Sequence, residues 1–318
     1  MRILVTGGCG FIGSNFIRHM LRKYPDYEII NLDKLTYAGN PDNLRDVENN
    51  KNYEFIRGDI CDSKIVGKIV LKVDAIINFA AESHVDNSIR SSREFIQTNV
   101  LGTLNLLEFA RVNKIKKFLQ ISTDEVYGSI DKGSFSEDSL VKPSSPYSAS
   151  KASAELLVMS YVVTHRFPAI ISRSSNNYGP CQYPEKIIPL FITNLLEGKK
   201  IPLYGDGKNV RDWIHVQDNC EAIDFIFHNG KIGEIYNIGG GTEKENIEVA
   251  KFLLGEFDKS ESFIEFVEDR KGHDRRYALN CEKLRKLGWK PKVNFDKGLK
   301  ETVKWYVKNK DWWKRLKK

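Results

Sequence analysis

Gly7-Gly8-Cys9-Gly10-Phe11-Ile12-Gly13 is the stretch of sequence that decides the fold. It follows an apolar run, Arg2–Thr6, and opens a segment with helical periodicity, Phe11–Lys23. Glycines at these positions allow a tight turn, close approach of a pyrophosphate, and close packing of the helix on the strand. A phosphate would meet the free N–H groups and the positive end of the helix dipole. The pattern predicts a dinucleotide-binding loop; a purely structural turn is the alternative.

Asp33 strengthens the cofactor interpretation. It follows Gly13 by 20 residues, directly after a second predicted strand at 28–32. An acid in this position accepts hydrogen bonds from the adenosine ribose hydroxyls and repels a 2′-phosphate. The sequence therefore predicts NAD as the cofactor in preference to NADP.

Short apolar runs alternate with helical stretches over most of the chain. The other predicted strands are 53–57, 75–79, 117–122, 169–173 and 234–238, and the other predicted helices are 63–70, 92–112, 147–166 and 214–228. Apolar strands that alternate with helices indicate a parallel sheet covered on both faces. We therefore predict an α/β protein with a Rossmann-type doubly wound parallel sheet and a smaller, mixed α/β C-terminal domain that binds substrate.

The strand–helix rhythm breaks after Ser174, where prolines and glycines mark loops. We expect residues 1–173, with a returning segment at 212–238, to form the NAD-binding domain. Residues 174–211 and 239–318 are expected to form the second domain.

Length and composition exclude several classes of protein. The chain has 318 residues, and its hydrophobic content of 41% is ordinary for a globular protein. No apolar run approaches the roughly 20 residues of a membrane helix. The first strand begins directly after Met1, so we expect no signal peptide and a cytoplasmic location. The five cysteines are widely spaced and form no C-x-x-C pair, which argues against a disulfide framework and against a metal site.

The positive charge of the chain is concentrated at its end. Residues 290–318 contain eleven Lys or Arg and three Asp or Glu, whereas the whole chain has a formal charge of +7. We interpret this segment as a solvated amphipathic helix whose Trp305, Trp312 and Trp313 pack on the body. A patch for nucleic acid or membrane is the alternative, but no accompanying motif supports it.

Tyr147 and Lys151 are spaced for oxidation chemistry. Four residues apart at the start of a predicted helix, they share one face. An ammonium near a phenol favours the phenolate and lowers the phenol pKa from about 10. Tyr147 is then a credible base for a substrate hydroxyl while hydride leaves the same carbon.

Asp124 and Glu125 suggest a second chemical step, because hydride transfer needs no carboxylate pair. They end the predicted strand 117–122, and ligands of open parallel sheets bind beyond the carboxyl ends of strands. Adjacent carboxylates in a desolvated cleft can have their pKa values pushed apart, which leaves one as an acid and the other as a base. From the residues alone, an equally good interpretation is a turn in which Asp124 caps the next segment.

The sequence resembles the extended short-chain dehydrogenase/reductase family and, within it, the dTDP-glucose 4,6-dehydratases, nearly from end to end. Besides the segments above, the resemblance is carried by residues 80–86, 98–100, 176–180, 202–207, 211–213 and 272–277. Several of these segments are shared with nucleotide-sugar epimerases. The Thr123-Asp124-Glu125 triplet and residues 272–277 are more particular to the dehydratases. Cys9 and Cys181 are small departures from the family pattern.

The resemblance implies a reaction in three stages. Tyr147, assisted by Thr123 and Lys151, would take the proton of the sugar 4-hydroxyl as NAD oxidises C4. Glu125 would take the C5 proton, and Asp124 would protonate the C6 hydroxyl, so that water leaves. Return of the hydride to C6 would convert dTDP-glucose into dTDP-4-keto-6-deoxyglucose.

The glycine loop and the resemblance together assign the binding residues. Those expected to bind NAD are Gly7, Gly10, Phe11, Ile12, Gly13, Asp33, Lys34, Thr36, Asp59, Ile60, Ala80, Ala81, Ser83, Thr98, Tyr147, Lys151 and Asn177. Those expected to bind the nucleotide sugar are Ser83, Thr123, Asn176, Lys186, Pro202, Tyr204, Arg211, Asn246, Arg270 and His273. Amide and cationic groups suit phosphate oxygens. Surface positions for Arg270 and His273, and a helix cap for Asn246, are the alternatives.

Two other functions remain open at this point. A nucleotide-sugar 4-epimerase needs the Tyr147–Lys151 pair but no elimination acid and base. A catalytically silent NAD-binding protein on the same fold needs neither pair. We also expect a homodimer, because the apolar helices 92–112 and 147–166 carry more hydrophobic surface than one sheet can cover, and the family pairs such helices as a four-helix bundle.

Overall fold

The computed structural model describes residues 1–270 and 272–317. Its strands are β1 Arg2–Thr6, β2 Glu28–Asp33, β3 Tyr53–Arg57, β4 Ala75–Asn78, β5 Lys117–Thr123, β6 Ala169–Ser174, β7 Asn176–Tyr178, β8 Ile201–Tyr204, β9 Val210–His215, β10 Ile235–Ile238, β11 Glu243–Glu245 and β12 Ile264–Val267. Its helices are α1 Phe11–Lys23, α2 Ser63–Val70, α3 Val85–Arg90, α4 Arg93–Phe95, α5 Thr103–Val112, α6 Pro146–His165, α7 Ile187–Leu196, α8 Val216–Asn229, α9 Asn246–Glu256, α10 Glu282–Lys286, α11 Phe295–Lys308 and α12 Lys310–Leu316. None of these helices has the length and apolar character needed to cross a membrane.

The main sheet has seven parallel strands in the order β10-β6-β5-β4-β1-β2-β3. Successive residues of β1 face opposite sides, so that Ile3 packs with α1 and α8, and Leu4 packs with α2, α5 and α6. The strand order reverses between β1 and β4, and ligands of such sheets bind at that switch point, beyond the carboxyl ends of the strands. The predicted doubly wound sheet is confirmed.

Two predicted helices differ from the structure. Residues 92–112 form α4, a π-helical turn at Ile96–Gly102, and α5 rather than one α-helix. The side chain of Asn99 in this turn accepts a hydrogen bond from Glu82 N (2.8 Å) and donates one to Ser150 Oγ (2.8 Å). These hydrogen bonds connect the turn with the loop after β4 and with α6. A π-helical turn of this kind is common at functional sites. In the second helix, predicted at 214–228, Ile214 instead belongs to strand β9 and pairs with Asn177 of β7, so the helix begins only at Val216.

A smaller layer covers the carboxyl edge of the main sheet. It contains the sheets β11-β9-β7 and β12-β8, together with α7, α9, α11 and α12 around a separate apolar cluster. Trp312 and Trp313 are buried in that cluster and Trp305 packs against it, which confirms the predicted packing of the basic tail. Lys318 lies outside the described residues. Trp312 Nε1 also donates to Asn43 Oδ1 (2.8 Å), and Asn43 Nδ2 donates to the carbonyl of Cys9 (2.9 Å).

Candidate active site

A cavity of about 320 Å³ lies at the carboxyl ends of the central strands. Every residue predicted to bind the cofactor lines this cavity, from Gly7 in the glycine loop to Asn177 in β7. Thr123, Asp124 and Glu125 line the same cavity. The fold therefore brings the residues for oxidation and the carboxylate pair into one space.

The glycine loop fits a dinucleotide. Gly7 has a φ of +68°, and a Cβ atom there would lie 2.7 Å from the backbone N of Ala80. A Cβ atom on Gly13 would lie 2.4 Å from the carbonyl O of Gly7. Gly10 precedes α1 without a capping side chain, so the first N–H groups of the helix are free to bind phosphate.

Asp33 also fits the ribose of a dinucleotide. It is buried at the end of β2, where Oδ2 accepts from Cys9 N (2.9 Å) and Oδ1 accepts from Leu35 N (2.8 Å). Burial raises the pKa of Asp33, while these two backbone hydrogen bonds lower it. Lys34 forms an ion pair with Asp59 over 2.7 Å on the cavity wall. Each carboxylate oxygen of Asp33 retains a lone pair for a ribose hydroxyl.

The substitution Gly13→Ala is expected to weaken both folding and NAD binding. The new methyl group would overlap backbone atoms of Gly7 and Gly8, and overpacking of this kind costs about 1–3 kcal/mol. Thermal unfolding and an NAD titration followed by fluorescence measure the two effects. Gly255→Ala is the matched control, because a Cβ atom there meets nothing within 4 Å. An unchanged NAD affinity in Gly13→Ala would show that the loop does not approach the cofactor.

The start of α6 positions Tyr147 and Lys151. The helix begins at Pro146, and the side chains of Ser145 and Ser148 form a reciprocal capping box. Lys151 is buried one turn later and its Nζ donates to the carbonyl of Ile121 in β5 (2.6 Å). Burial lowers the pKa of Lys151 to about 8, against the opposing influence of Glu155.

The prediction that the pKa of Tyr147 is lowered is wrong, because its surroundings in the protein chain raise this pKa. Burial raises the pKa of Tyr147, and the nearby Glu125 and Asp124 raise it further, while a hydrogen bond with Thr123 lowers it. The spacing of Tyr147 and Lys151 could not show how strongly burial and the nearby carboxyl groups disfavour a phenolate in this cavity. A phenolate at Tyr147 therefore requires more positive charge than Lys151 provides.

The carboxylate pair lies in the 3₁₀ turn Asp124–Tyr127, directly after β5. Thr123 caps this turn by accepting from Glu125 N (3.2 Å), so the interpretation of Asp124 as the cap is wrong. Asp124 is buried: Oδ1 accepts from Thr123 Oγ1 (3.2 Å), and Oδ2 has no hydrogen-bond partner among the residues that the structure describes. Glu125 is half-buried, and it lines both this cavity and a second one that adjoins it.

The two carboxyl groups have different electrostatic surroundings. The pKa of Asp124 is raised well above its usual value by burial and then by Glu125 and Asp212, with only partial compensation from Arg211. Burial also raises the pKa of Glu125, but Lys186, Arg270 and Arg211 all lower it. The pKa of both groups is raised, but three cations oppose the rise at Glu125, so a single proton is held preferentially by Asp124, which is the division that an acid and a base require.

A second cavity, of about 610 Å³, adjoins the first. Apart from Thr123, which lies in the first cavity only, every residue predicted to bind the nucleotide sugar lines it. The two cavities share Ser83, Glu125, Asn176, Asn177, Gln182, Glu185 and Lys186. A molecule in the second cavity can therefore reach Glu125 and the first cavity.

Arg270, His273 and Asn246 are part of this second cavity rather than of the outer surface. Arg270 Nη2 contacts His273 Nε2 (3.2 Å), and the His273 side chain is only 5% exposed. Asn246 is buried as the first residue of α9, and within the described part of the chain its Oδ1 has no hydrogen-bond partner. The surface and helix-cap alternatives are thus wrong. An orphaned amide oxygen on a cavity wall is suited to a ligand donor.

Sequence reasoning missed Tyr37 and Glu185. Tyr37 lines the first cavity together with Ser83 and Glu185. Burial and Glu185 raise the pKa of Tyr37. Glu185 lines both cavities beside Lys186, whose Nζ donates to the carbonyl of Ser83 (3.1 Å). The only available signal was the position of Glu185 next to Lys186, because Tyr37 lies in an irregular loop.

Comparison with known proteins gives consistent results. The GDP-mannose 4,6 dehydratase family model matches residues 4–302. The low-salt glycan biosynthesis protein Agl12 of Haloferax volcanii is 52% identical over 96% of this chain and 99% of its own length. A dTDP-glucose 4,6-dehydratase of Streptomyces niveus is 49% identical over 100% of this chain and 96% of its own length.

The structural comparison agrees. The crystal structure of DesIV, a dTDP-glucose 4,6-dehydratase from Streptomyces venezuelae with NAD and TYD bound, is similar to this chain with a TM-score of 0.98. The two chains are 50% identical, and the match covers 100% of each. This chain therefore belongs to the nucleotide-sugar 4,6-dehydratase family, within the extended short-chain dehydrogenases/reductases.

Proposed function

We propose that the protein is an NAD-dependent dTDP-glucose 4,6-dehydratase, a hydro-lyase that produces dTDP-4-keto-6-deoxyglucose. The observation that carries the proposal is the shared cavity, in which Asp124 and Glu125 stand with Tyr147 and Lys151. The four groups supply the proton transfers of an oxidation and of an elimination at one bound sugar.

Each protein group has one task in this scheme. Tyr147 accepts the proton of the 4-hydroxyl, assisted by Thr123 and Lys151, which line the same cavity. When bound, NAD supplies the hydride acceptor and donor, together with the positive charge of its oxidised ring, which supports the Tyr147 phenolate. A keto group at C4 acidifies the C5 proton, which the ionised Glu125 removes. The protonated Asp124 donates to the C6 hydroxyl, which leaves as water.

Cationic groups of the second cavity support a diphosphate ligand. Lys186, Arg211 and Arg270 all line this cavity, with His273 beside Arg270. Two guanidinium groups and an ammonium match the charge and the geometry of phosphate oxygens. We propose that they hold the nucleotide diphosphate and present the sugar to Glu125. On this basis, residues 174–211 and 239–318 supply the nucleotide-sugar domain, and residues 1–173 with 212–238 supply the NAD-binding domain.

The test of the function is incubation of the purified enzyme with dTDP-glucose. The expected product is a 4-keto-6-deoxy sugar nucleotide, detected by its alkali-induced absorbance and by mass. Formation of dTDP-galactose would instead identify a 4-epimerase, for which the carboxylate pair has no use. Competition among dTDP-, UDP-, CDP- and GDP-glucose in the same assay determines the preferred nucleobase.

We also propose a homodimer formed through α5 and α6 as a four-helix bundle. On α6, Leu156 and Val163 lie on one face, seven residues apart, and are 67% and 79% exposed. Leu101 and Val112, in the π-helical turn and α5, are also exposed. Burial of such side chains against a second copy supplies the hydrophobic energy that the monomer leaves unused.

Leu156→Glu is expected to convert the dimer into a folded monomer, because two carboxylates would lie near each other across the proposed interface. Sedimentation at micromolar concentration measures the change, and circular dichroism checks the fold. Leu140→Glu is the matched control, since Leu140 is 88% exposed and lies outside the helices. A wild-type protein that sediments as a monomer would refute the dimer.

A further inference from the structure

A buried ion pair lies behind the active site and is used by none of the steps above. Glu155 follows Lys151 by one turn on the buried side of α6, and Arg173 lies in the neighbouring strand β6. Arg173 Nη2 donates to Glu155 Oε2 (2.6 Å), and its Nε contacts both carboxylate oxygens (3.1 Å each). Both side chains are only 4% exposed. This forked geometry fixes the guanidinium plane relative to α6.

The same guanidinium contacts the turn that carries the carboxylate pair. Its carbon lies 4.5 Å from the centre of the Tyr127 ring, and Tyr127 is the last residue of the turn Asp124–Tyr127. Phe135 stacks on that ring at 4.9 Å, with 10° between the planes. Tyr127 OH donates to Asn237 Oδ1 in β10 (2.8 Å). Tyr127 is thus held by its ring and by its hydroxyl.

Besides Arg173, the turn is held by a hydrogen bond from Lys142 N to the carbonyl of Val126 (2.9 Å) and by packing of Val126 and Tyr127 with Ala152 of α6. Strand β5 is paired with β6 as far as Thr123 and Ser174, and Ser122 lies opposite Arg173. Beyond Thr123 the chain leaves the sheet, so Asp124 and Glu125 depend on the turn for their positions. Through its contact with the stacked Tyr127 ring, Arg173 can hold the turn in a fixed position relative to α6.

We propose that Arg173 is a positioning residue, which uses Glu155 and Tyr127 to set the elimination pair, Asp124 and Glu125, at a fixed place relative to Tyr147 and Lys151. The proposal rests on the proposed function, because it divides the reaction into an oxidation and an elimination. Loss of the contact should slow the elimination more than the oxidation, since α6 retains its own packing. Glu155 also stabilises the ammonium of Lys151, whose pKa it raises against burial.

The test compares variants that separate a displacement of Asp124 and Glu125 from a loss of fold stability. Arg173→Met alone leaves Glu155 buried without a partner, so it is expected to destabilise the fold. The double variant Glu155→Gln with Arg173→Met removes both charges, and it is expected to regain most of the thermal stability. Its kcat should still fall by about 10- to 100-fold, because displacement of a catalytic group by an ångström has effects of that size. Its bound nicotinamide should be more reduced during turnover than in the wild type, as absorbance shows.

Tyr127 provides an independent pair of variants. Tyr127→Leu removes the stacking and should reproduce the lower kcat and the more reduced cofactor. Tyr127→Phe keeps the ring and should restore most of kcat, although it loses the hydrogen bond to Asn237.

Asp224→Asn is the control for stability alone. Asp224 is buried between α8 and α1, where it contacts His19 (2.8 Å) and Lys23 (2.6 Å) away from both cavities. The Asp224→Asn variant should lower the melting temperature without changing the fraction of nicotinamide that is reduced during turnover. The proposal would be overturned if the double variant and Tyr127→Leu both had the kcat and the fraction of reduced nicotinamide of the wild type. Absence of dehydration in the wild type would instead refute the function itself.

Discussion

Glu125→Gln lowers kcat for the dehydration by about 100- to 10,000-fold, the usual contribution of a general base, and leaves oxidation at C4 possible. Glutamine has nearly the same shape as glutamate but cannot accept the C5 proton. Burial raises the pKa of Glu125, which strengthens it as a base, and Lys186, Arg270 and Arg211 oppose this rise and favour its ionised form. With elimination blocked, substrate should accumulate as the 4-keto sugar beside a reduced cofactor.

Rapid mixing of Glu125→Gln with dTDP-glucose measures both consequences. The absorbance of reduced nicotinamide should rise and persist, while almost no 4-keto-6-deoxy product forms. Glu282→Gln serves as the control, because Glu282 is an exposed glutamate on α10. Turnover at the wild-type rate would exclude Glu125 as the C5 base and would leave that role to another group of the cavity, such as Glu185.

Tyr147→Phe is expected to stop the reaction one stage earlier. The variant loses the hydroxyl, whereas its ring can keep the edge contact with Phe95 at 6.3 Å. Without a group to accept the 4-hydroxyl proton, kcat should again fall by about 100- to 10,000-fold. In contrast to Glu125→Gln, no reduced nicotinamide should accumulate.

The same rapid-mixing experiment distinguishes the two variants. Tyr236→Phe is the control for loss of a tyrosine hydroxyl, since Tyr236 is buried in β10 and bonds only with the backbone N of Lys231 among the described residues. Accumulation of reduced cofactor in Tyr147→Phe would place the base for the first stage elsewhere. NAD titrations of both proteins show whether the cofactor still binds.

The sequence predicted those parts of the molecule that depend on local pattern. The alternation of β3, β4, β5 and β6 with helices predicted a parallel sheet, because only apolar strands covered on both faces lack a polar side. The glycine loop could be recognised because the required backbone geometry excludes side chains, as the space around Gly7 and Gly13 shows. The residues that line the two cavities came largely from the resemblance.

Properties that depend on several distant segments could not be predicted in this way. The π-helical turn at Ile96–Gly102 follows from contacts of Asn99 with Glu82 and Ser150, which periodicity cannot show. The raised pKa of Tyr147 depends on its own burial and then on the charges of Glu125 and Asp124 beside it. The prediction from helical spacing took only Lys151 into account, and it therefore had the wrong direction for the pKa shift of Tyr147.

The hydrogen bonds from Trp312 to Asn43 and from Asn43 to Cys9 connect the end of the chain with the glycine loop. During synthesis, Trp312 leaves the ribosome long after residues 1–44 have been made. The support that α12 gives to the cofactor loop is thus available only after Trp312 has left the ribosome. A nascent chain that stops short of α12 should hold NAD less firmly than one that includes it.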